Sequence, residues 1–278
     1  MSLTKKYLIS LLLMAFCGLP QAKPQTVPVE ALQPDHGQRR TAIAIAQMLE
    51  NYHYTRPDIN DDLSRIAFTR YLDTLDPNRS FFTRDDVQGF ASYQDKFDDN
   101  FVSGHLDPAY QLFKQFRKKV EQRVAYAKQL LDTYDFDFSR DEHYVFDRSD
   151  MAWGESEKVL DDLWRRRVKN DLLTERLAQT GQAEEDQAEI TVRLHKRYDN
   201  LLRRVIQMSS ADVFQAFINA FTLSIEPHTS YMSPHIAENF DIGMRLSLQG
   251  IGAVLRSDNE YTQVLRTVVG GPAIKSGE

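Results

Sequence analysis

One feature constrains this chain more than any other: a long amphipathic stripe between residues 107 and 131. Apolar side chains recur there at intervals of three or four residues, at Phe113, Phe116, Val120, Val124, Ala127 and Leu131. That spacing matches the 3.6-residue period of an α-helix, so one face of the segment must be buried against other elements. Asp107 and Pro108 stand where an N-cap and a first-turn proline would open the helix. The stripe therefore predicts a long helix within a helical domain.

The same period recurs along most of the chain. It predicts helices near Ile43–Tyr54, from Asp61 to Thr74, over Leu160–Leu172, over Leu194–Val205 and over Phe214–Ile225. Ser209 and Asp212 have the spacing of a capping box for the last of these helices, and Gly181 is a plausible C-terminal stop for the helix over Leu160–Leu172. The prediction is a mainly α chain whose helical domain covers residues 37–243, after an extended, proline-containing lead-in over residues 23–36.

Composition excludes several classes of protein. The chain has 278 residues, a length that corresponds to about two domains. Its 34 Lys and Arg stand against 40 Asp and Glu, a net charge of -6 that argues against a nucleic-acid-coating protein. The single cysteine excludes a disulfide framework. The seven histidines form no metal-ligand pattern, so no metal is expected, and the family resemblance described below implies no organic cofactor either.

The first 22 residues have the pattern of a signal peptide. Lys5 and Lys6 precede the apolar stretch Tyr7–Phe16, and Ala22 is a plausible residue before the cleavage site. Two alternatives remain open, a lipoprotein modified at Cys17 and an uncleaved membrane anchor. Because the mature chain would be acidic and free of cysteine, we expect it in a Gram-negative periplasm, with a possible inner-membrane association.

Two loops resemble each other, namely residues 75–83 (LDPNRSFFT) and residues 225–233 (IEPHTSYMS). In each, a proline ends one helix, an aromatic side chain follows to fill the next interface, and Thr83 or Ser233 is placed to cap a new helix. The pattern predicts two helix–turn–helix connections. A helix–turn–helix connection also explains the presence of Ser230 and His228 better than a catalytic role as nucleophile and base does.

Two charged segments each allow two interpretations, a solvent-exposed surface or a binding site. Arg165–Arg167 is predicted to lie on a solvated helix face, and phosphate or lipid binding is the alternative. The acidic stretch Asp135–Asp141, interleaved with Phe136 and Phe138, is predicted to be a surface loop, and a docking motif is the alternative.

The pattern changes to that of β-structure near residue 244. Short apolar runs around Leu246–Leu255 and Tyr261–Val269 are separated by the turn signal Asp258-Asn259 and followed by Gly270-Gly271-Pro272. Two or three strands in about 35 residues cannot bury a stable core. We therefore expect residues 244–278 to be the incomplete start of a further domain.

These residues resemble a known family. Gly250-Ile251-Gly252-Ala253 before Val254-Leu255, with residues 270–277 (GGPAIKSG) downstream, is similar to the opening of a PDZ domain, and in particular that of C-terminal processing peptidases. The loop 226–234 just before it is also typical of that family. With the leader and the helical domain, the chain resembles the N-terminal part of a periplasmic tail-specific protease.

The resemblance implies a substrate-binding segment. PDZ domains bind the C-terminus of a peptide as an added strand, and successive backbone N–H groups hold its carboxylate. Here the nest would be Gly250–Gly252 and the edge strand Ala253–Leu255, with a pocket for an apolar final residue partly lined by Ile251 and Leu255. Ala253 stands where many PDZ domains carry Phe, which implies a differently shaped pocket. The implied site residues are Gly250, Ile251, Gly252, Ala253, Val254 and Leu255.

The family cleaves peptides with a serine activated by a lysine, and both lie beyond the PDZ domain. The resemblance thus implies that the parent protein is a serine endopeptidase. It also implies that this chain contains no catalytic residue and would be inactive alone. Its partners would be envelope proteins with apolar C-termini and a possible adaptor protein, without nucleic acid and with at most peripheral membrane association. The alternatives are a non-enzymatic exported helical interaction module and a membrane-anchored scaffold.

Overall fold

A computed structural model describes residues 26–178, 187–245, 250–258 and 261–276. One compact unit spans Thr26–Arg245, and the described part of a second unit consists of residues 250–258 and 261–276. The predictions for the signal peptide and for Gly181 fall outside the described residues.

The first unit is helical and the second contains a small hairpin. The helices of the first unit are α1 His36–Tyr52, α2 Asp61–Leu75, α3 Arg84–Gly89, α4 Phe97–Ser103, α5 Asp107–Thr133, α6 Glu157–Ala178, α7 Gln187–Ile206, α8 Ser210–Ile225 and α9 Pro234–Arg245. The second unit contains β1 Ala253–Asp258, β2 Tyr261–Thr267 and α10 Pro272–Lys275. The predicted mainly α fold is confirmed. None of the helices in the described ranges has the length and apolarity that a bilayer span requires.

The capping predictions for Thr83 and Ser209 are confirmed, and the one for Asp107 is wrong. Thr83 caps α3 in a reciprocal capping box with Asp86. Ser209 and Asp212 form a reciprocal capping box at the start of α8, in which the Ser209 N–H donates to the Asp212 carboxylate over 2.7 Å. Asp107 is not the N-cap of α5, because it already lies in the helix and Leu106 takes the capping position. The Asp107 carboxylate instead pairs with the guanidinium of Arg39 on α1 at 3.0 Å.

The helices form two packed groups. Helix α8 packs on α2 and also contacts α1 and α5, while α4 packs on α1 and α2. The aromatic rings of Phe97, Phe217 and Phe221 meet among these helices, with centroids 5.0 to 5.9 Å apart. Helices α5, α6 and α7 pack on one another as a second group. The stripe of α5 is therefore buried as its period required, with Phe113, Val120 and Ala127 fully inaccessible.

The predicted lead-in is bound to the helical unit. Its described part contains a 3-10 turn at Val29–Ala31, and Leu32 just after this turn is fully buried. The backbone N–H of Val27 donates to the carbonyl of Ile206 at the end of α7 over 3.0 Å. The guanidinium of Arg117 donates to the carbonyl of Val27 over 2.6 Å. These contacts order the chain before α1.

The arginine cluster on α6 is not the solvated face that the sequence predicts. Arg165 is 18% exposed and donates to Asp162 on its own helix and to Glu142 in the α5–α6 connection. Lys169 binds the same Glu142 carboxylate at 2.5 Å, and the Arg167 guanidinium lies over the ring of Trp164 at 4.5 Å. The bonds of Arg165 and Lys169 to Glu142 hold the connection against α6. Sequence reasoning missed them because the acidic partner lies 23 residues before Arg165.

The Glu142 ion pairs predict a pH dependence of stability. Hydrogen bonds from Arg165 and Lys169 lower the pKa of Glu142 to about 2. A carboxyl whose folded pKa lies below its unfolded value stabilises the fold above the unfolded pKa, and this contribution is lost as pH falls towards 2. We expect the difference in urea midpoint between wild type and Glu142→Gln to be clear at pH 7 and to shrink at pH 3. An equal difference at both pH values would contradict the assignment.

Candidate functional site

A glycine turn organises the second unit. Gly252 has a φ of 76°, in the left-handed region that favours glycine. A Cβ atom on Gly252 would lie 2.9 Å from Gly271 Cα and from Pro272 Cδ. The two glycine segments that the sequence singles out therefore touch each other, and only the absence of a side chain at Gly252 permits that approach.

Hydrogen bonds fix which way the peptide groups of this turn point. The N–H of Ala273 donates to the carbonyl of Ile251 over 2.9 Å, and the N–H of Val268 donates to the carbonyl of Gly252 over 2.7 Å. In a trans peptide, the carbonyl and the following N–H point in opposite directions. The N–H of Gly252 therefore points away from Ala273 and α10, and the N–H of Ala253 points away from Val268. Both donors face outward.

The turn leads directly into an antiparallel hairpin. Ala253 is opposite Thr267, Val254 is opposite Arg266, and the register shifts before Leu255. The shift is a β-bulge that leaves Leu265 as the extra residue on β2. In the described part of the chain β1 pairs with β2 alone, so its other edge carries no strand.

All six residues that the resemblance implies lie in one continuous segment. Gly250–Gly252 form the approach and the turn, and Ala253–Leu255 open β1. The apolar side chains of Ile251 and Leu255 are 61% and 48% exposed. Within the described ranges, the segment thus combines outward N–H groups, a strand edge without a partner and exposed apolar side chains. That combination can hold a carboxylate and pair with an extended peptide. The role of residues 250–255 in tail binding stays a prediction.

The loop between α8 and α9 is a tightly bonded connection. Helix α8 ends at Ile225 before Pro227, and the Tyr231 ring packs edge-on against Phe214 at 5.3 Å. Asn219 on α8 accepts from the Tyr231 N–H over 2.6 Å and donates to the Tyr231 carbonyl over 3.0 Å. The predicted helix–turn–helix connection is confirmed here.

The sequence did not reveal that this loop is bonded to the end of α1. His53 Nε2 lies 2.9 Å from the Thr229 hydroxyl, and His53 Nδ1 lies 2.7 Å from the Thr55 hydroxyl. The Thr229 hydroxyl donates to the Glu226 carboxylate, so its oxygen accepts from His53 Nε2–H. His53 Nδ1 then accepts from Thr55, including its backbone N–H at 3.2 Å. No local signal could have indicated this link, because His53 and Thr229 are 176 residues apart.

The loop after α2 is built around a buried carboxylate. The side chain of Asp76 is fully inaccessible and accepts from the N–H groups of Ser80, Phe81 and Phe82 over 2.8 to 3.0 Å. Burial raises the pKa of Asp76, and these hydrogen bonds oppose that rise. The wrapped turn places Phe81 edge-on against Phe116 at 5.6 Å. This second helix–turn–helix prediction is confirmed as well.

Other groups offer less chemistry. His228 bonds to Glu226 through its own N–H and through Nδ1, at 3.0 and 3.1 Å. The structure gives no hydrogen bond between His228 and Ser230 within the described residues, in line with a structural loop. Within the same residues no group of three or more His, Cys, Asp or Glu side chains is placed to hold a metal ion.

Comparison with known proteins assigns the helical unit to a protein family. The family model described as the tail-specific protease N-terminal domain matches residues 45–235. The chain belongs to the tail-specific protease family. Among its curated relatives, the tail-specific protease of Haemophilus influenzae is 32% identical over 263 residues. That alignment covers 94% of this chain and 37% of the relative, so the chain spans well under half of that tail-specific protease.

Proposed function

We propose that this chain is the substrate-capturing front part of a periplasmic serine endopeptidase that degrades or processes envelope proteins with apolar C-termini. The observation that carries the proposal is the geometry at Gly252. The bonded carbonyls of Ile251 and Gly252 leave two N–H groups facing outward at the start of a strand edge that has no partner among the described residues. A terminal carboxylate held there would let the rest of the tail extend along β1.

Family membership supports a protease parent. The relation to that family, together with the signal-peptide pattern of residues 1–22, supports export to the periplasm. The serine and lysine that such an enzyme needs would lie in residues beyond this chain. On this proposal residues 250–255 bind the tail, and cleavage belongs to a separate domain of the same protein.

The helical unit would act as a scaffold beside the proteolytic domain. Support comes from its extensive core and from the absence of a metal-binding cluster or a bonded Ser–His pair within the residues that the structure describes. A surface of this unit could also receive an envelope adaptor protein.

The carboxylate itself provides the test. We expect a fluorescent peptide ending in Leu-Ala-Ala with a free carboxylate to bind the full-length protein that carries this chain. The same peptide as a C-terminal amide should bind about 10-fold or more weakly, because hydrogen bonds to a charged group contribute about 1.5–3 kcal/mol. Fluorescence anisotropy measures both affinities.

One control peptide tests whether the site requires an apolar final residue. A peptide with a free carboxylate but aspartate as its final residue should bind weakly, since the exposed apolar side chains favour an apolar end. Equal affinity for the acid and the amide would contradict the proposed capture of the C-terminus.

A further inference from the structure

The hairpin has two chemically different faces. Side chains alternate along a strand, and directly paired residues of neighbouring strands share a face. Val254 and Arg256 therefore lie on one face of β1, together with their β2 partners Arg266 and Gln263. The opposite face carries Ala253, Leu255 and the partner of Leu255, Val264. Among these side chains the first face carries two arginines, and the second face, which also includes Thr267 opposite Ala253, carries no charge.

The outward-facing peptide groups define how a tail would lie on this edge. Residues of a strand direct their N–H and C=O to the same side, and this side alternates. Since the N–H of Ala253 faces away from β2, the next residue of β1 to face outward is Leu255. A tail added antiparallel, with its carboxylate at Gly252, places its last residue opposite Ala253 and its third-last residue opposite Leu255. Its fourth-last residue then lies opposite Arg256.

Arg256 is held in position for such a contact. Its Nη2 donates to Gln263 Oε1 of β2 over 3.0 Å, and its side chain is exposed. Gln263 is neutral, so this bond orients the guanidinium without compensating its charge. Arg266 adds a second positive charge to the same face, beside Val254. A strand added at this edge would meet the positive charge of Arg256 at the position opposite it.

Resting on the proposed tail binding, we propose that Arg256 makes this site select tails that carry an acidic side chain at the fourth position from the C-terminus. The last and third-last residues of the tail face the apolar side of the hairpin and take apolar side chains. The preferred substrates are therefore apolar-ended polypeptides with aspartate or glutamate three residues before the end.

Peptides that differ only at the fourth-last position test the assignment on the full-length protein. We expect Glu at that position to bind about 2- to 5-fold more tightly than Gln, the range for an exposed ion pair, and Lys to bind more weakly than Gln. Arg256→Gln should abolish the difference, and Arg256→Glu should reverse the order of Glu and Lys. Raising the salt concentration from 0.1 to 0.5 M should reduce the preference, because screening shortens the reach of exposed charges.

A matched variant separates local recognition from net charge. Arg40→Glu makes the same change of charge on exposed Arg40 of α1 and should leave the order Glu, Gln, Lys intact. The same order in wild type and Arg256→Glu, or no order in wild type, would overturn the role of Arg256. If the free acid still binds more tightly than the amide in that case, capture of the C-terminus stands and only its acidic selectivity fails.

Discussion

Replacing Asp76 with alanine should lower the free energy of unfolding of the helical unit by about 3–5 kcal/mol. The buried carboxylate accepts from three backbone N–H groups, those of Ser80, Phe81 and Phe82. Alanine leaves these donors without their acceptor in a site closed to water, and each such loss costs about 1–3 kcal/mol. Urea unfolding followed by circular dichroism measures the change.

Glu226 provides the matched control for Asp76. It holds the equivalent place in the second loop, before Pro227 instead of Pro77, but it accepts from a single backbone N–H, that of His228. We expect Glu226→Ala to cost clearly less than Asp76→Ala. If the two variants were equally destabilised, the wrapped turn at Asp76 would not be the source of the effect.

Replacing Gly252 with alanine should open the turn of the second unit. The new Cβ would lie 2.9 Å from Gly271 Cα, and a left-handed φ adds about 1–2 kcal/mol of strain to any L-residue. We expect the amides of Val268 and Ala273, which donate to Gly252 and Ile251, to exchange at least about 10-fold faster with deuterated solvent. Hydrogen exchange measured by NMR on the full-length protein tests this.

Gly250 provides the comparison two residues earlier. A Cβ atom there has no described atom within 4 Å, and the φ of Gly250 is not in the left-handed region. Gly250→Ala should therefore leave the exchange of both amides within about a factor of two of wild type. Matching exchange in the Gly250 and Gly252 variants would show that the close approach to Gly271 does not hold the turn.

The helical periods predicted the long helices because each contributes one continuous face to the core. The prediction from Asp61 to Thr74 differs from α2 by one residue, and Phe214, Phe217 and Phe221 are all buried as their spacing required. Helix α4 escaped prediction because it has only seven residues, Phe97–Ser103, three of which are Asp or Asn. Its signal was the four-residue spacing of Phe97 and Phe101, both fully buried.

Contacts between distant segments could not be predicted in this way. The turn at Gly252, in contrast, could be predicted because its glycines lie next to strand-like runs in the sequence. The bonds of Arg165 with Glu142 and of His53 with Thr229 depend on how separate elements pack. A single sequence carries the period of each element but not the partner of each surface, so ion pairs and buried links appear only in three dimensions.

The central place of α8 has a consequence for the order in which the chain assembles. Helix α2 is made early and packs partly on the nearby α4, yet its main packing partner α8 begins only at Ser210. Contacts between residues so far apart in sequence form slowly, because a long loop must close first. Helices α5, α6 and α7 are neighbours in the chain and can pair as soon as they are made. Helix α2 must therefore keep the surface that α8 covers exposed until most of the unit has been synthesised.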